Sequence, residues 1–301
     1  MLVSTGMVLA DETTCLRAQD ELWIVSTREV STCRCPESDD FAVRQFAEGK
    51  WSEASLDELL VASEAVTAVL VHGNRINSSW AKRHGWMIYR KLSCGARDDE
   101  PIRFVIWSWP SERINGPIRD ARSKAQRATS EGLLFGWFLG HFSEENRLSL
   151  IGYSYGARIV GGGLHVAGGG SLNGRELEDP MPARSVHVSL LAAAVHRDGL
   201  STSGQFGKAK DQMGEFLLFV NQSDPTLRRY YWLDKRNPQN ALGFSGYCQH
   251  QLDPLVHQVD ISPYIGRSHD IQRYFASRQI VSMVRDNVLW RSDAPAKDAC
   301  R

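Results

Sequence analysis

Residues 66–71 read Val-Thr-Ala-Val-Leu-Val and residues 102–107 read Ile-Arg-Phe-Val-Ile-Trp, with no regular alternation of polar and apolar positions. A strand wetted on one face alternates with a period of two. Runs without that alternation are strands buried on both faces, the arrangement of a parallel sheet covered by helices on either side. Comparable runs occupy residues 22–25, 148–152, 186–192, 216–220 and 259–261. Between them, residues 79–92, 119–142, 154–166 and 270–289 have helical spacing. Strands alternating with helices predict an α/β fold with a mostly parallel central sheet and helices on both faces. Residues 29–64 are polar and acidic and read as irregular or helical.

Composition narrows the function classes. The 301 residues are 42% hydrophobic and 23% charged, ordinary for a globular protein. Lys plus Arg and Asp plus Glu both number 35, so no charge excess points to a nucleic-acid partner or a polybasic membrane anchor. No apolar run approaches the roughly 18 residues of a membrane-spanning helix. The six cysteines, Cys15, Cys33, Cys35, Cys94, Cys248 and Cys300, contain no C-x-x-C pair and are too dilute for a disulfide framework. They read as free thiols. Nothing in their spacing predicts a metal site, and the triple-glycine runs at 161–163 and 168–170 do not continue into a phosphate loop. Those glycines are expected to let a helix approach the sheet and then to end it. No cofactor is expected.

The segment with chemistry is residues 148–160, Leu-Ser-Leu-Ile-Gly-Tyr-Ser-Tyr-Gly-Ala-Arg-Ile-Val. Gly152, Ser154 and Gly156 form G-x-S-x-G between an apolar strand and a helical stretch, the context of a nucleophile elbow. Composition alone yields such a pentapeptide about 0.1 times in a chain of this kind. The turn from strand to helix is so tight that the flanking positions must be small, and it leaves the serine oxygen exposed. A second apolar strand ends at Val71-His72-Gly73-Asn74. There Gly73 allows the backbone to turn inward, and the amides of Asn74 and Tyr155 are the expected oxyanion donors. His72 is expected to order its loop rather than act as a base.

The base should follow the serine, with an acid between them in the chain. Of the later histidines, His269 lies after the last expected strand and before the last helix. His250 and His257 are rivals in an irregular stretch, and His165 is about three helical turns from Ser154, too far to reach it. Asp224, after the strand at 216–220, is the expected acid, and Asp198 after the preceding strand is the alternative. Trp80, Trp107, Trp109 and the run Tyr230-Tyr231-Trp232 are candidates to line an apolar pocket.

These residues, in this order, resemble the α/β-hydrolase superfamily over about residues 66–288. The detail is similar to a family of uncharacterised α/β-hydrolases carrying a domain of unknown function. That family's motifs are Val71-His72-Gly73, Trp109-Pro110-Ser111, the serine elbow, and Asp224-Pro225-Thr226-Leu227. Tyr153 and Tyr155 depart from the His and Met common around the serine elsewhere in the superfamily. The resemblance implies a serine hydrolase acting on a small-molecule ester or related acyl substrate, with no nucleic acid and no integral membrane segment. The other reading is a non-catalytic protein that uses the same fold for binding.

On this reading residues 1–65 are an N-terminal extension with one early strand. Residues 66–292 form the hydrolase domain, with an insertion at 227–258 that is a candidate lid, and residues 293–301 are a tail. Residues 1–10 resemble the end of a signal peptide but lack a basic segment. Localisation is therefore cytoplasmic as written, or exported if the start truncates a signal peptide.

Overall fold

The computed structural model of the chain describes residues 16–32, 34, 36–233, 238–247 and 253–291. The signal-like stretch at 1–10, the tail at 293–301, His250 and every cysteine except Cys94 lie outside the described residues. Cys94 is exposed and free.

The chain opens with β1 (Glu21–Ser26), β2 (Ala42–Ala47), β3 (Lys50–Ala54) and the short helix α1 (Leu56–Leu60). Strands and helices then alternate: β4 (Val66–Val71), α2 (Ser78–Ser93), β5 (Ile102–Ser108), α3 (Pro117–Gly140), β6 (Leu148–Tyr153), α4 (Tyr155–Ala167) and β7 (Val186–Leu191). After β8 (Met213–Val220) come α5 (Leu242–Ser245), β9 (Val256–Asp260), α6 (Ser262–Ile265), α7 (Ile271–Ala276) and α8 (Arg278–Val288). The nine strands form one sheet in the order β3-β2-β1-β5-β4-β6-β7-β8-β9. It is parallel from β1 to β9, and β2 runs antiparallel to both its neighbours. Every residue of β4, β5 and β6 is buried, which is why these strands read as mainly apolar runs without a regular polar alternation.

The helices lie on both faces. Trp107 of β5 packs its ring against Phe135 and Phe138 of α3, at centroid distances of 5.0 Å each. A Cβ added at Gly85 of α2 would lie 2.2 Å from the side chain of Ile106. Ile106 and Trp107 are adjacent in one strand and so point to opposite faces, which puts α2 and α3 on opposite sides of the sheet. Each fully buried phenylalanine of that layer contributes roughly 1.5–3 kcal/mol. The triple-glycine run has a different role from the expected one. A Cβ at Gly136 of α3 would stand 2.7 Å from the Gly163 carbonyl oxygen, and one at Gly132 would stand 3.0 Å from Gly162 Cα. Gly162 and Gly163 thus let α4 approach another helix, α3, rather than the sheet. Gly168 does cap α4, with its N–H on the Leu164 carbonyl.

Three local expectations are corrected at the edges. Residues 42–54, read as irregular or helical, form the hairpin β2–β3 around Glu48 and Gly49, both at positive φ (52° and 77°) as a type I′ turn requires. Its strands are half wetted and carry Arg44, Lys50 and Glu53, and β3 is the edge of the sheet, where charge discourages pairing with another chain. The last strand begins at Val256 rather than Val259, and its His257 and Gln258 hide it from an apolar-run reading. The closing helix is two helices. Ser277 adopts extended backbone (φ −78°, ψ 116°), and its hydroxyl accepts from the Ile280 amide to start α8 afresh.

The strand order positions the site. From β4 the chain moves to β5 on one side, then crosses to β6 on the other. The carboxyl ends of β4 and β6 therefore border a topological switch point, where open α/β sheets bind ligands. Gly73 and Asn74 follow β4 there, and Ser154 follows β6.

Candidate active site

Ser154 is the single residue between β6 and α4, at φ 55° and ψ −116°. Positive φ in a non-glycine residue costs on the order of 1–3 kcal/mol and persists only where the surroundings enforce it. Here the Ser154 amide donates to Leu191 O at 3.0 Å, and its carbonyl accepts from Ala157 and Ala194 at 3.1 Å each. The flanking glycines are required by space. A Cβ on Gly156 would lie 2.0 Å from Val71 O, and one on Gly152 would lie 2.9 Å from Ala157 Cα. Gly73 is also tightly placed: its Cβ would stand 3.0 Å from Ser154 Cβ.

His269 Nε2 lies 3.0 Å from Ser154 Oγ, and His269 Nδ1 lies 2.6 Å from Asp224 Oδ2. A carboxylate oxygen only accepts, so Nδ1 carries the proton and Nε2 is left as an acceptor toward the serine hydroxyl. Asp224 is fully buried. Its other oxygen accepts from the amides of Thr226 at 2.8 Å and Leu227 at 3.1 Å. Asp198 is exposed, His257 faces Glu215 from β9, and the His165 Nδ1 accepts from the Lys208 amide. None of these three meets Ser154.

Two residues that sequence reasoning missed hold the histidine loop. Asn221, at the end of β8, donates from Nδ2 to Gly266 O at 2.9 Å and Ser268 O at 3.3 Å. The Tyr153 hydroxyl donates to the main-chain carbonyl of His269. Burial, with Tyr274 and Asp224 nearby, raises the Tyr153 phenol well above its ordinary value, so it stays a neutral donor. The only sequence signal for Asn221 was its place at a strand end three residues before Asp224.

The loop after β4 is held from two directions. The Asn74 Nδ2 donates to Asp120 Oδ2 at 3.2 Å, and Arg75 Nε donates to the same oxygen at 2.9 Å. Burial opposes charge on Asp120, but hydrogen bonds from Arg75, Ile114 and Asn74 and the Arg75 charge hold it below its ordinary value. On the other side, Trp109 Nε1 donates to His72 O at 2.8 Å, and Ser111 bonds the main chain of Arg75 and Ile76. Trp109 and Ser111 thus anchor the loop, while Trp107 is core; neither tryptophan lines the cavity. His72 is buried against Trp109, and burial pushes its pKa down to about 3. It is a neutral structural imidazole, with Nδ1 2.9 Å from Gly73 O.

Above Ser154 lies a cavity of about 480 Å³. Asn74, Tyr155 and His269 line it beside the serine, and Ile76, Ile118, Ile271 and Trp232 make its apolar walls. Tyr230 also faces it, while Tyr231 and Trp80 are exposed elsewhere. Among the described residues, no three His, Cys, Asp or Glu side chains converge as a metal set, and no helix is long and apolar enough to cross a membrane. Comparison of the sequence with protein-family models, with curated proteins and with solved structures returned no significant match.

Proposed function

We propose that the chain is a serine hydrolase of the α/β-hydrolase type, cleaving a small carboxylic ester through an acyl-enzyme. The observation that carries this reading is the relay from Ser154 Oγ to His269 at 3.0 Å and from His269 to buried Asp224 at 2.6 Å, on a strained turn between strand and helix. The chain order Ser, Asp, His and the switch-point location support the same reading.

In the proposed reaction His269 Nε2 takes the hydroxyl proton as Ser154 Oγ attacks the ester carbonyl. Asp224 stabilises the imidazolium through Nδ1–H. The oxyanion is held by the amides of Asn74 and Tyr155, which donate to no main-chain carbonyl among the described residues. The tetrahedral adduct collapses, the C–O bond to the alcohol breaks, and His269 returns the proton to the leaving alkoxide. Water then attacks the acyl-enzyme by the same route and frees the carboxylic acid. The apolar walls favour an apolar acyl or alcohol group. In this reading residues 66–292 are the hydrolase domain and 227–258 a lid, because Leu227, Tyr230 and Trp232 already face the cavity.

Labelling of the purified chain by a fluorophosphonate probe tests the reading. The expected result is labelling of the parent that vanishes in Ser154→Ala. A folded parent that does not label would overturn it in favour of a non-catalytic binding protein.

A further inference from the structure

Arg158 sits one turn into α4 after Ser154 and is 7% exposed. A buried guanidinium is ordinarily matched by a carboxylate, because an uncompensated charge away from water is costly. Arg158 has no such match: among the described residues no Asp or Glu lies within ion-pair distance. Its Nη1 donates to Thr129 Oγ1 at 3.2 Å and its Nη2 to the Tyr230 hydroxyl, both neutral acceptors. Its Nε is buried with no hydrogen-bond partner among the described residues.

Arg158 lines a cleft of about 720 Å³ that is separate from the Ser154 cavity. Thr129, Gln126, Asn173, His196 and Arg122 share its wall, and neither Asp nor Glu is among the described residues that line it. Arg122 likewise meets no carboxylate among the described residues; it donates to the carbonyls of Leu233 at 3.2 Å and Trp232 at 3.1 Å. Neither Ser154, His269 nor Asp224 reaches this cleft. Two guanidinium groups and several neutral polar side chains thus surround a space with no anionic side chain among the described residues.

We propose that this cleft is a binding site for the oxyanion group, carboxylate or phosphate, of a small ligand, with Arg158 as its central charge. Guanidinium N–H groups bond such oxygens more strongly than the neutral acceptors they have here. The ligand would supply the missing countercharge and lie behind Tyr230, whose ring lines the Ser154 cavity while its hydroxyl accepts from Arg158. The proposal does not depend on the catalytic reading.

The test is calorimetry and thermal unfolding of the full chain with inorganic phosphate and with citrate, against chloride at matched ionic strength. Parent and Ser154→Ala protein should bind at least one of the two saturably at millimolar concentration or below. Phosphate alone or citrate alone would identify which oxyanion the cleft takes. Arg158→Met should weaken binding about tenfold or more. Gln126→Glu, an exposed change on α3 that puts a carboxylate at the cleft, should also weaken it and keeps the test valid if Arg158→Met does not fold. Anion effects no larger than those of chloride, or binding unchanged in the folded variants, would overturn the proposal.

Discussion

The side-chain amide of Asn221 donates to the carbonyl of Gly266 at 2.9 Å and so ties the end of β8 to the loop that carries His269. Asn221 is fully buried, and its Oδ1 in turn accepts from the Ser223 amide at 3.0 Å. One side chain therefore sets both the turn leading to Asp224 and the height of the histidine loop. In the proposed reaction Asn221 would be a positioning residue, acting through His269.

Asn221→Ala should lower kcat for a reporter ester by about tenfold, with KM little changed, because the loop loses a buried hydrogen bond worth about 0.5–1.5 kcal/mol. Asn221→Asp should not rescue it, since a carboxylate facing two carbonyls cannot donate. Steady-state kinetics on the folded variants check this. A fall in stability with kcat intact would assign Asn221 to folding alone.

Asp224→Asn should cut turnover by about 10⁴-fold while leaving the fold intact, because the imidazole loses the carboxylate that fixes its tautomer. Tyr153→Phe, which removes a second support of the histidine loop, should cost far less. Ester hydrolysis by both variants, with circular dichroism as the control for folding, decides the ranking.

His72 should make the fold acid-sensitive. Its folded pKa is about 3 against an ordinary 6.5, so between these values the unfolded state binds the extra proton. The contribution is nil above the unfolded value. Stability is then lost at up to about 1.4 kcal/mol per pH unit as the pH falls below it. His84, His165 and His187 are also lowered by burial, so the comparison must be with His72→Gln. Urea unfolding from about pH 6.5 to pH 5 should show a shallower loss in His72→Gln than in the parent. Equal slopes would count against a buried neutral His72.

Two glycines near the C-terminal end of α3, Gly136 and Gly140, should respond oppositely to added methyl groups. Gly136→Ala puts a Cβ 2.3 Å from Val166 Cγ2 and should destabilise by about 1–3 kcal/mol. Gly140→Ala meets nothing within 4 Å and should stabilise by about 0.4–1 kcal/mol through the unfolded chain. Urea midpoints of the two variants measure both signs.

Much of the molecule was legible before any coordinates. Strands β4 to β8 lie in the middle of the sheet, and burial on both faces writes itself into sequence as β-branched and aromatic runs. The helices between them show the 3.6-residue period for the same reason. Where burial is partial the signal fades. The edge strands β3 and β9, and β2 beside the first of them, are half wetted, and their polar residues look like loop. The break at Ser277 is a local capping choice that one serine in a helical pattern does not announce.

The candidate site divides along the same line. A strand, G-x-S-x-G and a helix are contiguous, so the sequence alone determined the turn at Ser154 and the need for Gly152 and Gly156. Which imidazole and which acid meet that serine was decided only in the tertiary structure. His269 and Asp224 are 115 and 70 residues beyond Ser154 in the chain, and only the ordering of parallel strands brings them together. Asn221, Asp120, Trp109 and the unmatched charge of Arg158 were out of reach for the same physical reason. Their roles lie in contacts with atoms distant in sequence, and which partner a buried polar group finds or lacks is a property of the packed interior that no local pattern encodes.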